Sequence, residues 1–473
     1  MEAEEDWDIW FIDGPTVPAL LSKMKAYQRT NHFPGMYALA RKNLLAKNLI
    51  AMQKYFARDY NFFPKTWLLP GDIKPFKEQF NHRKAKTFIV KPEASCQGKG
   101  IFLTRNFDWY QVGEHYVAQR YLHKPFLIDD LKFDLRIYVL ITSVIPLRIF
   151  IYKEGLARFA TTAYVSPLGS NLNNLFMHLT NYAINKESED FQQNTGNDDA
   201  GHKRSLSSIF KSIDQARLSD PDIISSQECW QLLKELTVKT IIAGHNHIAH
   251  IQRTAKPQDL ENQLCFQVLG IDVFIDKKGK PWLIEVNQSP SFMTDSPLDH
   301  KIKFGVLRDS FRMLNLSWRR KNRYINNAKI DKQRRLQGLP RASNYEKEEI
   351  RQKKIRIKDK FELNNLGGYE RIYPLQAEHL RDNEYNIALQ DRYDELIFHS
   401  KDIWAESAAG GFSKKKIEPE SKPLTKSPEM KLSKEVSKKE SANNTLCSVK
   451  KTVLKLNSIS AKDTQQANSF AQI

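Results

Sequence analysis

The sequence predicts an α+β body that carries a basic helical appendage and a disordered tail, and three observations support this. Short β-type apolar runs fill residues 87–161 and return at 265–287. Helical periodicity fills residues 37–57 and 228–251. Excess positive charge is confined to the last third of the chain. Strand runs interleaved with helices describe a packed mixed body, whereas a block of like charge describes something held outside a core.

The charge distribution sets the boundaries. The chain has 473 residues, 73 Lys and Arg against 55 Asp and Glu, and a formal charge of +18, room for about two or three domains of ~100–200 residues. Residues 301–360 hold 20 basic and 6 acidic side chains, a net of +14, while 361–400 hold 3 and 8. Residues 401–473 hold 14 lysines and 8 acids, which leaves residues 1–300 nearly neutral. The expected division is therefore a globular body over 1–300, a cationic region over 301–375, a short helical extension over 376–407 and a Lys/Ser-rich tail over 408–473. The tail has too few apolar groups to offset its chain entropy and is expected to be disordered.

Several classes are excluded. The most apolar stretch, Ile137 to Tyr152, is too short to span a bilayer and contains Pro146 and Arg148. The acidic start, MEAEEDWD, is the reverse of a secretory signal. Cys96, Cys229, Cys265 and Cys447 are too far apart to suggest a disulfide framework or a zinc site. A soluble cytosolic chain is expected. The basic region calls for a polyanionic partner. Nucleic acid is disfavoured, because aromatics are sparse there and no reading motif appears. An acidic protein surface fits at least as well.

Within the body, residues 37–57 read as an amphipathic helix and 228–251 as one long buried helix. Strands are expected at 87–91, 101–104, 116–122, 133–142, 146–152 and 157–161, with a hairpin of 265–275 against 281–287. In the basic region, residues 345–360 place acids early and bases late, the order a helix dipole favours.

Three features suggest chemistry. The loop Pro92–Gly100 follows a strand ending in Lys91, and Gly98 and Gly100 let backbone amides approach an anion. A glycine-bearing hairpin with no ligand is the commoner use of such a loop. In the second feature, a hairpin loop of two or four residues centred on Lys278-Gly279 sets Asp272 opposite Glu285, with Asn287 on the same face. Facing carboxylates repel, which leaves two resolutions: a divalent cation, magnesium by preference, or pairing of one carboxylate with a buried arginine such as Arg136 or Arg158. In the third, alternation puts Lys132, Asp134 and Arg136 on one strand face, where they need charged partners.

The segments LLPGD, IVKPEASCQGKGIFLT, VAQRYLHKPFLIDDLKFDLRIYVLI, MHLTNYAIN and CFQVLGIDVFIDKKGKPWLIEVNQSPSF resemble the tubulin tyrosine ligase-like proteins. The similarity is greatest to their polyglutamylase branch. NHFPGMYALARKNLLAKNL near the start and NLGGYERIYP after the basic segment fit that branch too.

The resemblance implies an ATP-grasp body and a role for each feature. Lys91, Gln97 and Gly98 would meet ATP phosphates, and Gln119, Arg120, Tyr121 and Leu122 would form the adenine hinge. Lys132, Asp134, Thr180 and Asn181 would also bind ATP. Asp272, Glu285 and Asn287 would hold Mg²⁺. Arg158, Tyr182, Lys203, Gln97 and Gln288 would meet free L-glutamate, and Arg136 would act with Lys91 and Glu285 in catalysis. Gln288 stands where close members carry a histidine. The implied reaction joins L-glutamate to glutamate side chains of acidic tubulin tails through an acylphosphate. Microtubules are the implied partner, a monomer the implied state, and the cytoskeleton, cilium, axoneme or basal body the implied location. A glycine ligase of the same fold and an inactive microtubule-binding protein are the alternatives.

Overall fold

The computed structural model describes residues 6–408 apart from 82–84, 94–97, 258, 260–261, 339, 341–342, 377–379 and 382. Gln97 and the tail beyond residue 408 lie outside the described residues.

The centre of the body is a long antiparallel pair, Leu131–Val144 and Leu147–Phe159, in a seven-stranded sheet. Lys203–Ser205 lies outside the second of these strands, and Gln267–Ile275 followed by Pro281–Asn287 lies outside the first. The sequence suggests two strands, 146–152 and 157–161, where the structure has one. Gly155 permits this, because a Cβ there would stand 2.7 Å from the carbonyl oxygen of Arg136. The pairing also shifts between Ile137 and Val139, which absorbs the extra residues.

Alternation along Leu131–Val144 separates two environments. Phe133, Leu135, Ile137, Val139 and Ile141 share one core with Leu233, Leu236, Ile241 and Ile248 of the helix Ser226–Ala255. That helix starts two residues before the expected residue 228, because Ser225 and Glu228 form a reciprocal capping box. On the opposite face, Tyr138 and Leu140 pack with Leu298, Ile302 and Val306 of the helix Pro297–Met313. Lys132, Asp134 and Arg136 continue this second face toward the start of the strand, so its apolar part ends where the charged part begins.

A smaller sheet, in the order Thr66–Leu69, Tyr116–Arg120, Phe88–Pro92 and Phe102–Thr104, closes over its own aromatic cluster of Trp67, Phe76 and Phe88. The segment 37–57 forms two helices, Tyr37–Ala40 and Lys42–Tyr55. They part at Arg41, whose ψ of 127° is extended.

The basic region is partly built into this body. The expected division at 300/301 falls inside the helix Pro297–Met313. Two helices follow, Trp318–Leu336, which buries no residue, and Asn344–Asn364. The chain then returns as Tyr369–Tyr373, antiparallel to Leu147–Phe159 in the main sheet. The last helix, Glu384–Ala408, buries Leu389, Tyr393, Leu396 and Ile403 in the core it shares with Ser226–Ala255. Among the described residues, no helix is long and apolar enough to cross a membrane.

Candidate active site

Asp272 pairs with Glu285, as expected, but by a different route. The turn has three residues, Lys277–Gly279, rather than two or four. The Asp276 amide donates to the Lys280 carbonyl at 3.0 Å, and Gly279 takes a φ of +84°. Continued regularly, that turn would set Asp272 against Ile284 and send Glu285 to the other face. Instead Val273 pairs with Leu283 and Asp272 with Glu285, so Ile284 is a one-residue bulge. The bulge restores the carboxylate pair and carries Asn287 with it.

Around Asp272 the sheet assembles alternating charges. Arg136, opposite it on the neighbouring strand, donates from Nε to Oδ1 at 2.5 Å and from Nη2 to Oδ2 at 3.0 Å. Arg158 Nη2 lies 2.8 Å from Asp272 Oδ2 and also joins Nε in a bidentate pair with Asp134, both bonds 2.7 Å. Thr180 donates its hydroxyl to Asp134 Oδ2 at 2.6 Å. Burial alone would raise the Asp272 carboxyl, yet Arg136 and Arg158 hold it far below the usual carboxylate range. Glu285 goes the other way: burial raises it, Asp272 adds to the rise, and Lys91 opposes. Asp272 thus pairs with both arginines that the sequence offered as partners.

Lys132 is buried behind this row. Its ammonium donates to the His178 carbonyl at 2.6 Å and to the Tyr121 hydroxyl at 3.1 Å. Burial lowers it to about 7, against the attraction of Asp134. The Tyr121 hydroxyl also meets His178 Nδ1 at 3.0 Å, and burial beside Lys132 lowers that histidine to about 4. Lys91 is likewise lowered by burial, to about 8, with Glu285 opposing. Gln119 donates to Thr66 Oγ1 at 3.0 Å. Arg120 covers the Phe88 ring, 5.5 Å from its centroid, and Leu122 is half-buried just beyond the strand.

Lys91, Gly98, Gln119, Glu285 and Asn287 line one cleft together with Lys42. Gly98 has a φ of +83°, and a Cβ on it would stand 2.6 Å from Ile184 Cδ1 and 3.2 Å from Asn181 Cγ. Gly98 therefore rests directly on the segment that begins with Thr180 and Asn181. Next to it, Lys203 Nζ sits 4.1 Å from the centroid of the Tyr182 ring and 2.5 Å from Asp299 Oδ2. Lys203 also pairs in the sheet with Arg158. Gln288 is anchored through its backbone, whose carbonyl accepts from Gln267 Nε2 at 2.5 Å.

Nothing in the local sequence marks Asp299, Lys303 or Thr66 as site residues, and His178, in the polar run 178–182, is ambiguous by itself. Asp299 is wholly buried and also binds Lys303 Nζ at 2.7 Å. One local signal exists: Ser296 caps the amide of Asp299, which marks the start of its helix. Nothing local ties Asp299 to Lys203.

The donor set suits a hard divalent cation. Two carboxylates and an amide offer oxygen ligands. Glu285 faces Asp272 in the strand pairing, and the Asn287 amide reaches both carboxylates at 3.3 Å. A cation would relieve that repulsion. Among the described residues, no group of three His, Cys, Asp or Glu gathers to hold a metal, and Asn287 is the neutral oxygen donor beside the two carboxylates.

The model of the tubulin-tyrosine ligase family matches residues 20–323. The tubulin polyglutamylase TTLL13 of Mus musculus is 45% identical over 376 residues, covering 78% of this chain and 46% of the relative. The tubulin polyglutamylase ttll6 of Danio rerio is 40% identical over 408 residues, covering 86% of this chain and 50% of the relative. The chain thus spans about half the length or less of the curated relatives it matches.

Proposed function

The chain belongs to the tubulin-tyrosine ligase family, and we propose that it is an ATP-dependent ligase that adds L-glutamate to glutamate side chains or branches on acidic tubulin tails. The observation that carries this reading is the single sheet face on which Lys132, Asp134, Arg136, Arg158, Asp272 and Glu285 converge beside the glycine loop. The polyglutamylase names of the relatives support the choice of substrate.

In this reading the body is an ATP-grasp fold, and the small sheet covers ATP. Lys91 and Lys132 meet the phosphates, and the segment Gln119–Leu122 meets the base. A tail carboxylate oxygen attacks the γ-phosphorus, ADP leaves, and an acylphosphate forms. The amino nitrogen of free glutamate then attacks the acyl carbon, phosphate departs, and the nitrogen loses a proton. In this reading Arg136 would neutralise the transferred phosphoryl group, and Arg158 and Lys203 the carboxylates of glutamate. Glu285, Asn287 and Asp272 would hold Mg²⁺, which supplies charge neutralisation at the phosphates. The protein's share of the work is positioning in a site with little water.

The basic helices Trp318–Leu336 and Asn344–Asn364 would dock on the acidic microtubule surface, by long-range attraction that salt screens. Cytoskeletal placement follows from that substrate, and cilia or basal bodies are its proposed setting. Glycine as the added amino acid is disfavoured, since it offers no second carboxylate to Lys203.

The test is incorporation of labelled glutamate, glycine and tyrosine into microtubules with ATP and Mg²⁺, read by mass spectrometry. Glutamate addition that disappears in Glu285→Gln supports the reading. Glycine addition would replace the substrate. Microtubule binding with no addition of any of the three would leave a binding protein.

A further inference from the structure

A second cavity, of about 330 Å³, lies between the helices Trp318–Leu336 and Asn344–Asn364 and the part of the body around Thr142 and Cys265. None of the roles above uses it. Arg29, Arg319, Arg320, Arg323, Lys354 and Lys358 line it, and among the described lining residues Glu362 is the one carboxylate.

That carboxylate is already engaged. Glu362 is wholly buried and holds Arg148 Nη1 at 2.5 Å. Lys358 Nζ stands 3.6 Å from Glu362 and donates instead to the Thr142 carbonyl at 2.8 Å. Arg320 donates to the carbonyls of Leu314 and Asn315 at 3.2 and 3.4 Å, and to the side-chain oxygen of Gln263. Neutral oxygens take these hydrogen bonds of Arg320 and Lys358, and the carboxylate near Lys358 is shared with Arg148. Burial lowers the Lys358 ammonium to about 8, and Arg148, Arg29 and Arg320 push it further down against Glu362.

We propose that this cavity binds a compact polyanion, a small molecule bearing two or more phosphate groups, which ties the two basic helices to the body. The cations sit at two depths. Arg29, 2% exposed, and Lys358 stand deep, while Arg323 and Lys354 stand at the exposed rim. An extended acidic peptide would pair with the outer faces of the helices, and only a compact ligand meets floor and rim together. The volume is that of a small-molecule site, and guanidinium forks match phosphate oxygens. A soluble inositol-type polyphosphate and a phosphoinositide headgroup share this chemistry.

The test uses the full chain with excess non-hydrolysable ATP analogue and Mg²⁺, so that the nucleotide cleft is occupied. Tripolyphosphate and inositol hexakisphosphate are titrated by calorimetry, and vesicles with and without phosphoinositide are compared. One ligand per chain is expected, with a raised melting temperature. Arg323→Glu and Lys354→Glu should each weaken binding at least about tenfold. Lys211→Glu, on the exposed side of the helix Leu206–Ser219, should leave it unchanged. Circular dichroism confirms the fold of each variant, and Arg323→Gln replaces any that fails. Vesicle binding that free polyphosphate competes away would assign the headgroup, and binding of free polyphosphate alone would assign the soluble ligand. Three results would overturn the proposal: no binding, several weak ligands equally sensitive to Lys211→Glu, or displacement by a polyglutamate peptide with the same losses in the rim variants.

Discussion

Asp272 and Glu285 stand side by side because Ile284 is one residue more than the partner strand can pair. Without that bulge, the Glu285 carboxylate would face the hydrophobic side of the sheet. The two acids divide the work: Asp272 locks two arginines in place, while Glu285 lines the cleft with Asn287.

Asp272→Asn should therefore be a structural lesion as well as a chemical one. It removes the counter-charge from Arg136, leaves Arg158 with Asp134 alone, and should cost about 3 kcal/mol of stability, measured by urea denaturation. Glu285→Gln should leave the melting temperature nearly unchanged, abolish ligation and remove the Mg²⁺ dependence of ATP binding. Equal destabilisation by both substitutions would contradict this division.

Protonation of Lys132 should be linked to folding and to nucleotide. Its folded value of about 7 lies below the ordinary 10.5, so between these pH values the unfolded chain holds a proton the folded chain has released. Stability contributed by this group rises with pH across that window. Phosphates restore the charge, so ATP binding at pH 8 should take up protons. Calorimetry in buffers of different ionisation enthalpy measures the uptake, and Lys132→Met should reduce it.

Gly98→Ala should raise the KM for ATP by about tenfold. The positive φ disfavours any side chain there, and the new methyl would press on Ile184 and Asn181. Initial rates over a range of ATP concentrations would reveal it, with the glutamate KM changing less.

Asp299→Asn should act on the amino acid rather than on ATP. It leaves Lys203 and Lys303 buried without their shared anion, at a cost of about 3 kcal/mol in stability. Lys203 would then lose its fixed place over Tyr182. The expected kinetic result is a higher KM for glutamate, with ATP binding intact by fluorescence titration.

Removal of everything after residue 300 is a poor test of the basic helices, since it also takes away Ile302 and Val306 from their core, the strand Tyr369–Tyr373 and the helix Glu384–Ala408. Charge reversal at the exposed Arg334, Arg335 and Lys353 is cleaner. Microtubule affinity should fall about threefold to tenfold per charge at low salt, with a shallower salt dependence in co-sedimentation. ATP binding should not change.

Local patterns made most of the strands legible, together with the helix Ser226–Ala255 and the charged face of Leu131–Val144. The pairing of Asp272 with Glu285 was expected from a loop length that is off by one, and the bulge compensated. Other features depend on distant contacts. Asp299 is 96 residues from Lys203, and His178 is 46 residues from Lys132, so no periodicity joins them. The basic region reads as one block because charge counting does not distinguish Trp318–Leu336, which buries nothing, from Pro297–Met313, which buries Leu298, Ile302 and Val306.

The chain leaves the body after Met313 and rejoins its main sheet at Tyr369. The two basic helices are thus an excursion anchored at both ends, with Glu362 on Arg148 as a bolt near the exit. Such an excursion behaves as a cassette. Its length and charge can be altered, shortened or exchanged with another chain's without disturbing strand order or the charged face. What the protein holds on to and the arrangement of its charged face can therefore change independently.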